Sequence, residues 1–235
     1  MIRKHFQYRT TIATILAEDP VHIDAACDAM VSARHEVERC IAQDPYFAAT
    51  FEPYAPDCDF FTVQRMVAAA AKAGVGPMAA VAGTIAWAGV EAMVDAGAVF
   101  GVVDNGGDIA LVTDREIRVG VHAGASRLSN RIAFVVPPQE RILGICTSSA
   151  TVGHSISLGT ADAVTIFSSD VSLADAFATA LCNRIGDCSE DAFAPLANVC
   201  EVTGALGIIG DACCRWGTLP PLVRARVDER LITRG

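Results

Sequence analysis

Polar and apolar residues alternate from His5 to Ala17, which predicts a strand over 5–17. Ile23, Cys27, Met30, Val37 and Ile41 then recur at helical spacing, the stripe of an amphipathic helix that ends by Asp44-Pro45. Pro45 to Asp59, with Pro53 and Pro56, reads as an irregular loop. A helical pattern resumes from Phe61 to Ala73, is broken by Gly74-Val75-Gly76-Pro77, and continues as a small-residue helix from about Met78 to Ala96, stopped by Gly97. Gly83 and Gly89 each cost that helix about 1 kcal/mol relative to alanine. Their presence predicts close approach of another backbone or of a ligand, with tight packing the readier explanation at Gly89 than at Gly83.

Val99–Val103 and Ile109–Thr113 read as strands joined by DNGGD, Glu116–His122 alternates, and Ile132–Val136, Ile142–Thr147 and Val164–Ser168 are short β-branched runs. Helices are expected at about 173–185, 189–202 and 220–231. Helices at both ends of a run of hairpin-linked strands give an α+β fold, and no linker divides residues 1–235, so one domain is expected.

Composition narrows the function classes. A net charge of -9 without a Lys/Arg cluster argues against binding a nucleic-acid backbone. The arginines from Arg215 to Arg234 are interspersed with Asp228 and Glu229, as on a solvated terminal helix. The apolar stretch from Met78 to Val103 is interrupted by Glu91, Asp95 and several glycines, which argues against a membrane span. The N-terminus lacks the continuous apolar core of a signal peptide, so a cytoplasmic protein is expected. Nine cysteines without a C-x-x-C, and five scattered histidines, favour reduced thiols over disulfides or zinc. Plentiful small apolar residues point to a homo-oligomer.

Three segments carry candidate chemistry. Asn105-Gly106-Gly107 is first a hairpin turn, since Asn and Gly tolerate positive φ. The same bare backbone lets a phosphate or ring lie against its N–H groups, with Asp104 and Asp108 on either side to meet a metal, a ribose hydroxyl or water. The second segment leaves a strand at Cys146 and enters a hydroxyl-rich loop, Thr147, Ser148, Ser149 and Thr151, followed by His154. Such residues cap their own turns or bind phosphate and sugar oxygens. His154 is either a structural hydrogen-bonding residue or a proton acceptor. In the third segment, SLADAFATAL, Asp175 and Thr179 lie four apart on one helical face and offer hard oxygen ligands suited to Mg2+. Ser172-x-x-Asp175 also reads as a capping box, an explanation that leaves Thr179 unaccounted for.

Together GPMAAVAGTIA (76–86), VVDNGGDIAL (102–111), ICTSS (145–149) and ADAVTIFSSDVSLADAFATAL (161–181), with the A-D-A-x-x-T core at Ala174–Thr179, resemble the FAD:protein FMN transferase (ApbE) superfamily, most closely its shorter branch. The resemblance covers roughly residues 74–184. It implies FAD or FMN, a divalent metal such as Mg2+, and transfer of FMN to a hydroxyl of a protein acceptor. Carried over residue by residue, Asp175 and Thr179 match the metal ligands, Gly106 and Gly107 the flavin-nucleotide loop, Thr147 and Ser148 the Thr-Ser pair, and His154 the histidine that follows.

The chain departs from the transferase pattern at three places. Ala82-Gly83 stands where a Lys-Gly pair is expected, ISLGT (156–160) replaces Asp-Pro-x-Thr-Gly, and the N-terminal signature is missing. The shorter branch also implies a sulfur-transfer role in homocysteine synthesis by anaerobes, with a persulfide-carrying cysteine. Cys58 is the leading candidate, although it lies between Asp57 and Asp59, an acidic context that disfavours the thiolate. A metal-assisted nucleotide site, a sulfur carrier and a non-catalytic interaction protein are thus the three functional expectations.

Overall fold

The structure is a computed structural model that describes residues 1–149, 161–227 and 233. The chain opens with a hairpin, β1 (Ile2–Tyr8) and β2 (Thr11–Ala17), in place of one strand over 5–17. Its turn includes Arg9 at φ 54. Helix α1 (Pro20–Gln43) follows, N-capped by the Asp19 carboxylate, which accepts from the Val21 N–H at 2.8 Å. The expected loop contains one short helix, α2 (Tyr46–Ala49). Helix α3 (Phe61–Ala73) has the expected limits because Gly74 takes up a left-handed cap. A 3-10 turn over Pro77–Ala80 then leads into α4 (Val81–Asp95).

Strands β3 (Gly101–Asn105), β4 (Asp108–Thr113), β5 (Ile117–Gly120), β6 (Ile132–Val136), β7 (Gln139–Ser148) and β8 (Ala163–Ser168) precede α5 (Val171–Arg184). Beyond α5 two expectations fail. The segment at 189–202 forms only a 3-10 stretch, Glu190–Leu196, with Pro195 inside it. Strands β9 (Val202–Ile209) and β10 (Ala212–Gly217) follow where no strand was expected, and β11 (Leu222–Arg224) replaces the start of the helix expected at 220–231, of which 228–231 lie outside the described residues. β9 escapes a period-2 reading because it is buried on both faces, so its sequence is a continuous apolar run.

Eight strands form one antiparallel sheet in the order β1-β2-β3-β4-β7-β8-β9-β10, and β11-β6-β5 form a smaller one. Alternation distributes the large sheet between two cores. Val103, Ala110, Val112, Cys146, Val164 and Ile166 face the helices, while Val102, Leu111, Ile145, Phe167 and Leu206 face the small sheet. There Phe134 meets Phe167 edge to face at 4.7 Å. The result is an α+β fold with helices on one face of the sheet and three strands on the other. The Pro77–Asp95 stretch is long and apolar enough to cross a membrane, yet half of it is buried inside the fold, where α4 packs on α1, α5, β3 and β4.

Candidate functional site

The site is built at one end of the large sheet, around the β3–β4 turn. Gly106 (φ 72) and Gly107 (φ 106) both occupy the left-handed region, so this is the two-residue primed turn that the sequence predicts. The Gly107 N–H donates to Asp104 Oδ1 at 2.9 Å, and the Gly107 carbonyl accepts from the Thr147 N–H of β7 at 3.1 Å. Among the described residues a Cβ on Gly106 would meet nothing within 4 Å.

Strand alternation sorts the residues by side. Asn105 pairs with Asp108 and Asp108 with Cys146, so these three share the helix face. The Asn105 Nδ2 donates to the Ala82 carbonyl at 2.9 Å, which fixes the start of α4 beside the turn. Asp175 projects from α5, and its Oδ2 accepts the Gly83 N–H at 2.8 Å. A carboxylate from one helix thus caps the first turn of another, where the helix dipole favours negative charge. The contact requires glycine: a Cβ at Gly83 would lie 2.8 Å from the Asp175 Cβ and 3.0 Å from the Val171 carbonyl oxygen. Beneath it, buried Thr84 Oγ1 is hydrogen-bonded to the Ala80 carbonyl at 2.5 Å and to Ser172 Oγ at 2.7 Å. Helix α5 takes its own N-cap from Asp170, which accepts from the Leu173 N–H. Ser172 is therefore not the capping residue that its spacing predicted, because β8 ends early enough to leave Asp170 just ahead of the first turn.

The electrostatics of this face are those of acids held together in poor solvent. Burial pushes the Asp175 carboxyl up to about 7, against the opposing pull of the Gly83 and Ala82 N–H groups. Asp108 is pushed well above the usual carboxylate range, first by burial and then by the charge of Asp175 and of Asp104. Burial and these same two carboxylates, Asp108 and Asp175, raise the Cys146 thiol as well.

Asp104, which pairs with Thr14 and Ile109, points to the opposite face. Thr147 does too, with its Oγ1 2.9 Å from Thr165 Oγ1, whereas buried Ser148 returns to the helix side. The Thr147–Ser148 pair, expected as a unit, is thus divided by the pleat. Half-buried Asp104 accepts a hydrogen bond from Thr233, at 2.6 Å from its Oδ2. This second contact is one the sequence could not reveal. Burial also raises the Asp104 carboxyl, opposed by the Thr233 hydroxyl and the Gly107 N–H.

The remaining expected residues divide three ways. Thr179 is half-buried one turn beyond Asp175. Ser149 follows β7, and His154 lies outside the described residues. Cys58 belongs to a different neighbourhood: its Sγ is 3.3 Å from that of Cys40 on α1.

A divalent cation suits the helix face. Among the described residues no three acidic, histidine or cysteine side chains converge tightly enough to enclose an ion unaided. Mg2+ does not need that, because it keeps several waters and takes one or two carboxylates plus phosphate oxygens. The charge of Asp175 raises the cost of ionising Asp108, and an ion beside the two would offset it.

A family model described as AbpE bacteria matches residues 3–195. The chain belongs to that family. The match extends the resemblance read from residues 74–184 to most of the sequence. This ApbE-like chain is 64% identical over 235 residues to a UPF0280 protein of Methanoculleus marisnigri, covering 100% of this chain and 96% of that one. A UPF0280 protein of Methanosphaerula palustris is 58% identical, with 100% and 99% covered. Among solved structures, the apo flavinyl transferase ApbE of Pseudomonas stutzeri aligns at TM-score 0.51 and 13% identity, covering 100% of this chain and 98% of that one. The flavin transferase ApbE of Vibrio cholerae gives the same score and identity over 92% and 96%. At this identity the likeness establishes a shared fold.

Proposed function

We propose that this protein binds FAD together with a divalent cation, Mg2+ by preference, and transfers the FMN half to a hydroxyl acceptor. The observation that carries the reading is the meeting of the double-glycine turn with two buried carboxylates whose ionisation burial disfavours, Asp108 and Asp175, beside the start of α4. The flavin transferases share this fold, which supports the choice of nucleotide. The bare N–H groups of Gly106 and Gly107 would receive pyrophosphate oxygens. Asn105 would hold α4 against the turn, and Asp108, Asp175 and Thr179 would bind the cation. When bound, the cation would neutralise the pyrophosphate and stabilise charge on the departing AMP. Ala82, where the transferase pattern has lysine, supplies no positive charge, so the cation carries a larger share of that neutralisation.

The test is binding of FAD to the purified chain with and without Mg2+, followed by flavin fluorescence. Asp175→Ala is expected to abolish Mg2+-dependent binding. Undiminished binding in that variant would remove the metal assignment.

A second reading rests on Cys58, half-buried and in contact with Cys40. Burial, and after it the neighbouring Cys58, push the Cys40 thiol up to about 12. It therefore stays protonated near neutrality and spares a persulfide on Cys58 from attack by its nearest thiol. A sulfur donor should then leave one additional sulfur on the protein by intact mass, absent from Cys58→Ala; an unmodified wild-type mass would dismiss this role.

A further inference from the structure

We propose that the chain carries its own acceptor, and that Thr233 is a site of covalent flavin-nucleotide attachment. The inference rests on the FMN-transfer reading and names the hydroxyl that reaction uses. Thr233 is buried, 219 residues from Thr14 in sequence, and its Oγ1 lies 2.9 Å from Thr14 Oγ1. It donates at 2.6 Å to Asp104 Oδ2, while Asp104 Oδ1 is fixed by the Gly107 N–H. A hydroxyl on a base, with the base oriented by a third group, is the arrangement that activates an oxygen nucleophile. Here the third group belongs to the turn assigned to the pyrophosphate, where among the described residues a Cβ on Gly106 would meet nothing within 4 Å. Phosphate on Gly106-Gly107 would have the paired carboxylates on the helix side and the Thr233 hydroxyl on the other.

The step balances without an oxidant or reductant. Thr233 Oγ1 forms a bond to the flavin-side phosphorus of FAD, and the phosphoanhydride bond to AMP breaks. The hydroxyl proton passes to Asp104 and then to solvent, leaving FMN on Thr233 as a phosphodiester and AMP free.

The full chain would be incubated with FAD and Mg2+, then analysed by intact mass and top-down fragmentation, with FAD binding by the wild type measured in parallel. One FMN per chain, placed on Thr233, is expected. It should be lost in Thr233→Val and regained in Thr233→Ser. Without nucleotide, Asp104→Asn should speed carboxypeptidase trimming past Thr233 several-fold, because the hydroxyl loses its charged partner. FAD binding without any adduct, or an adduct on another residue, would overturn the acceptor while sparing the transferase reading. Absence of FAD binding would remove both, and equal trimming of the two proteins would remove the Thr233–Asp104 contact on which the inference stands.

Discussion

Helix α4 contains two interior glycines, and they face different worlds. A Cβ at Gly89 would meet the Met30 side chain at 3.1 Å and Val103 at 3.2 Å, an apolar contact with α1 and β3. A Cβ at Gly83 would meet the Asp175 carboxylate arm and the Val171 carbonyl on α5. On one flank the missing side chain lets hydrocarbon interlock. On the other it exposes an N–H that holds an acid in a place where acids ionise poorly. The same sequence device therefore serves packing at one position and charge placement at the other, and only the partner decides which.

The contrast is sharpest at Asp175. An acid that titrates at about 7 when folded and near 3.9 when unfolded binds an extra proton in the native state between those values. The stability this proton confers is complete below about pH 4 and is lost as pH rises through about 7, a change on the order of 4 kcal/mol. Urea titrations across that window should show the decline, and Asp175→Asn should flatten it. Mg2+ added at pH 8 should restore stability to the wild type alone. A pH-independent wild type would show that the α4–α5 flank is no different from the α1 flank.

Next in size is Gly83→Ala, expected to cost about 2 kcal/mol, since neither the Val171 carbonyl nor the Asp175 Cβ can yield cheaply. Thr84→Val should cost about 1.5 kcal/mol by stranding the Ser172 hydroxyl in a buried site. The double variant Thr84→Val/Ser172→Ala should recover part of that loss, as a double-mutant cycle would measure. Gly89→Ala should have the smallest effect, within about 1 kcal/mol of zero, because flexible Met30 can shift and alanine restores helix propensity. If Gly89→Ala proved costlier than Gly83→Ala, the distinction between the two flanks would collapse.

Much of this arrangement is written locally. The Gly106-Gly107 turn is legible because positive φ at successive residues restricts the choice of side chain, and the end of α3 is legible because Gly74 needs the same freedom. Asp175 stands in the A-D-A-x-x-T pattern, whereas its hydrogen-bond partner Gly83 shows in the sequence only as an anomaly in helix propensity. Strands β9 and β10 were hidden, the first by burial on both faces and the second because its half-exposed cysteines and arginine give no clear alternation. The Cys40–Cys58 contact and the docking of Thr233 on Asp104 are products of long-range packing. No window of neighbouring residues encodes them.

The bond between Gly83 and Asp175 spans 92 residues, which has a consequence for biosynthesis. While a ribosome is still making the segment between them, the Gly83 N–H at the start of α4 awaits a partner that has not yet emerged, and Thr84 has only the Ala80 carbonyl. Closing so distant a contact is slow and comes late. A nascent chain should therefore capture no nucleotide until α5 is released, and binding competence should appear together with resistance to protease.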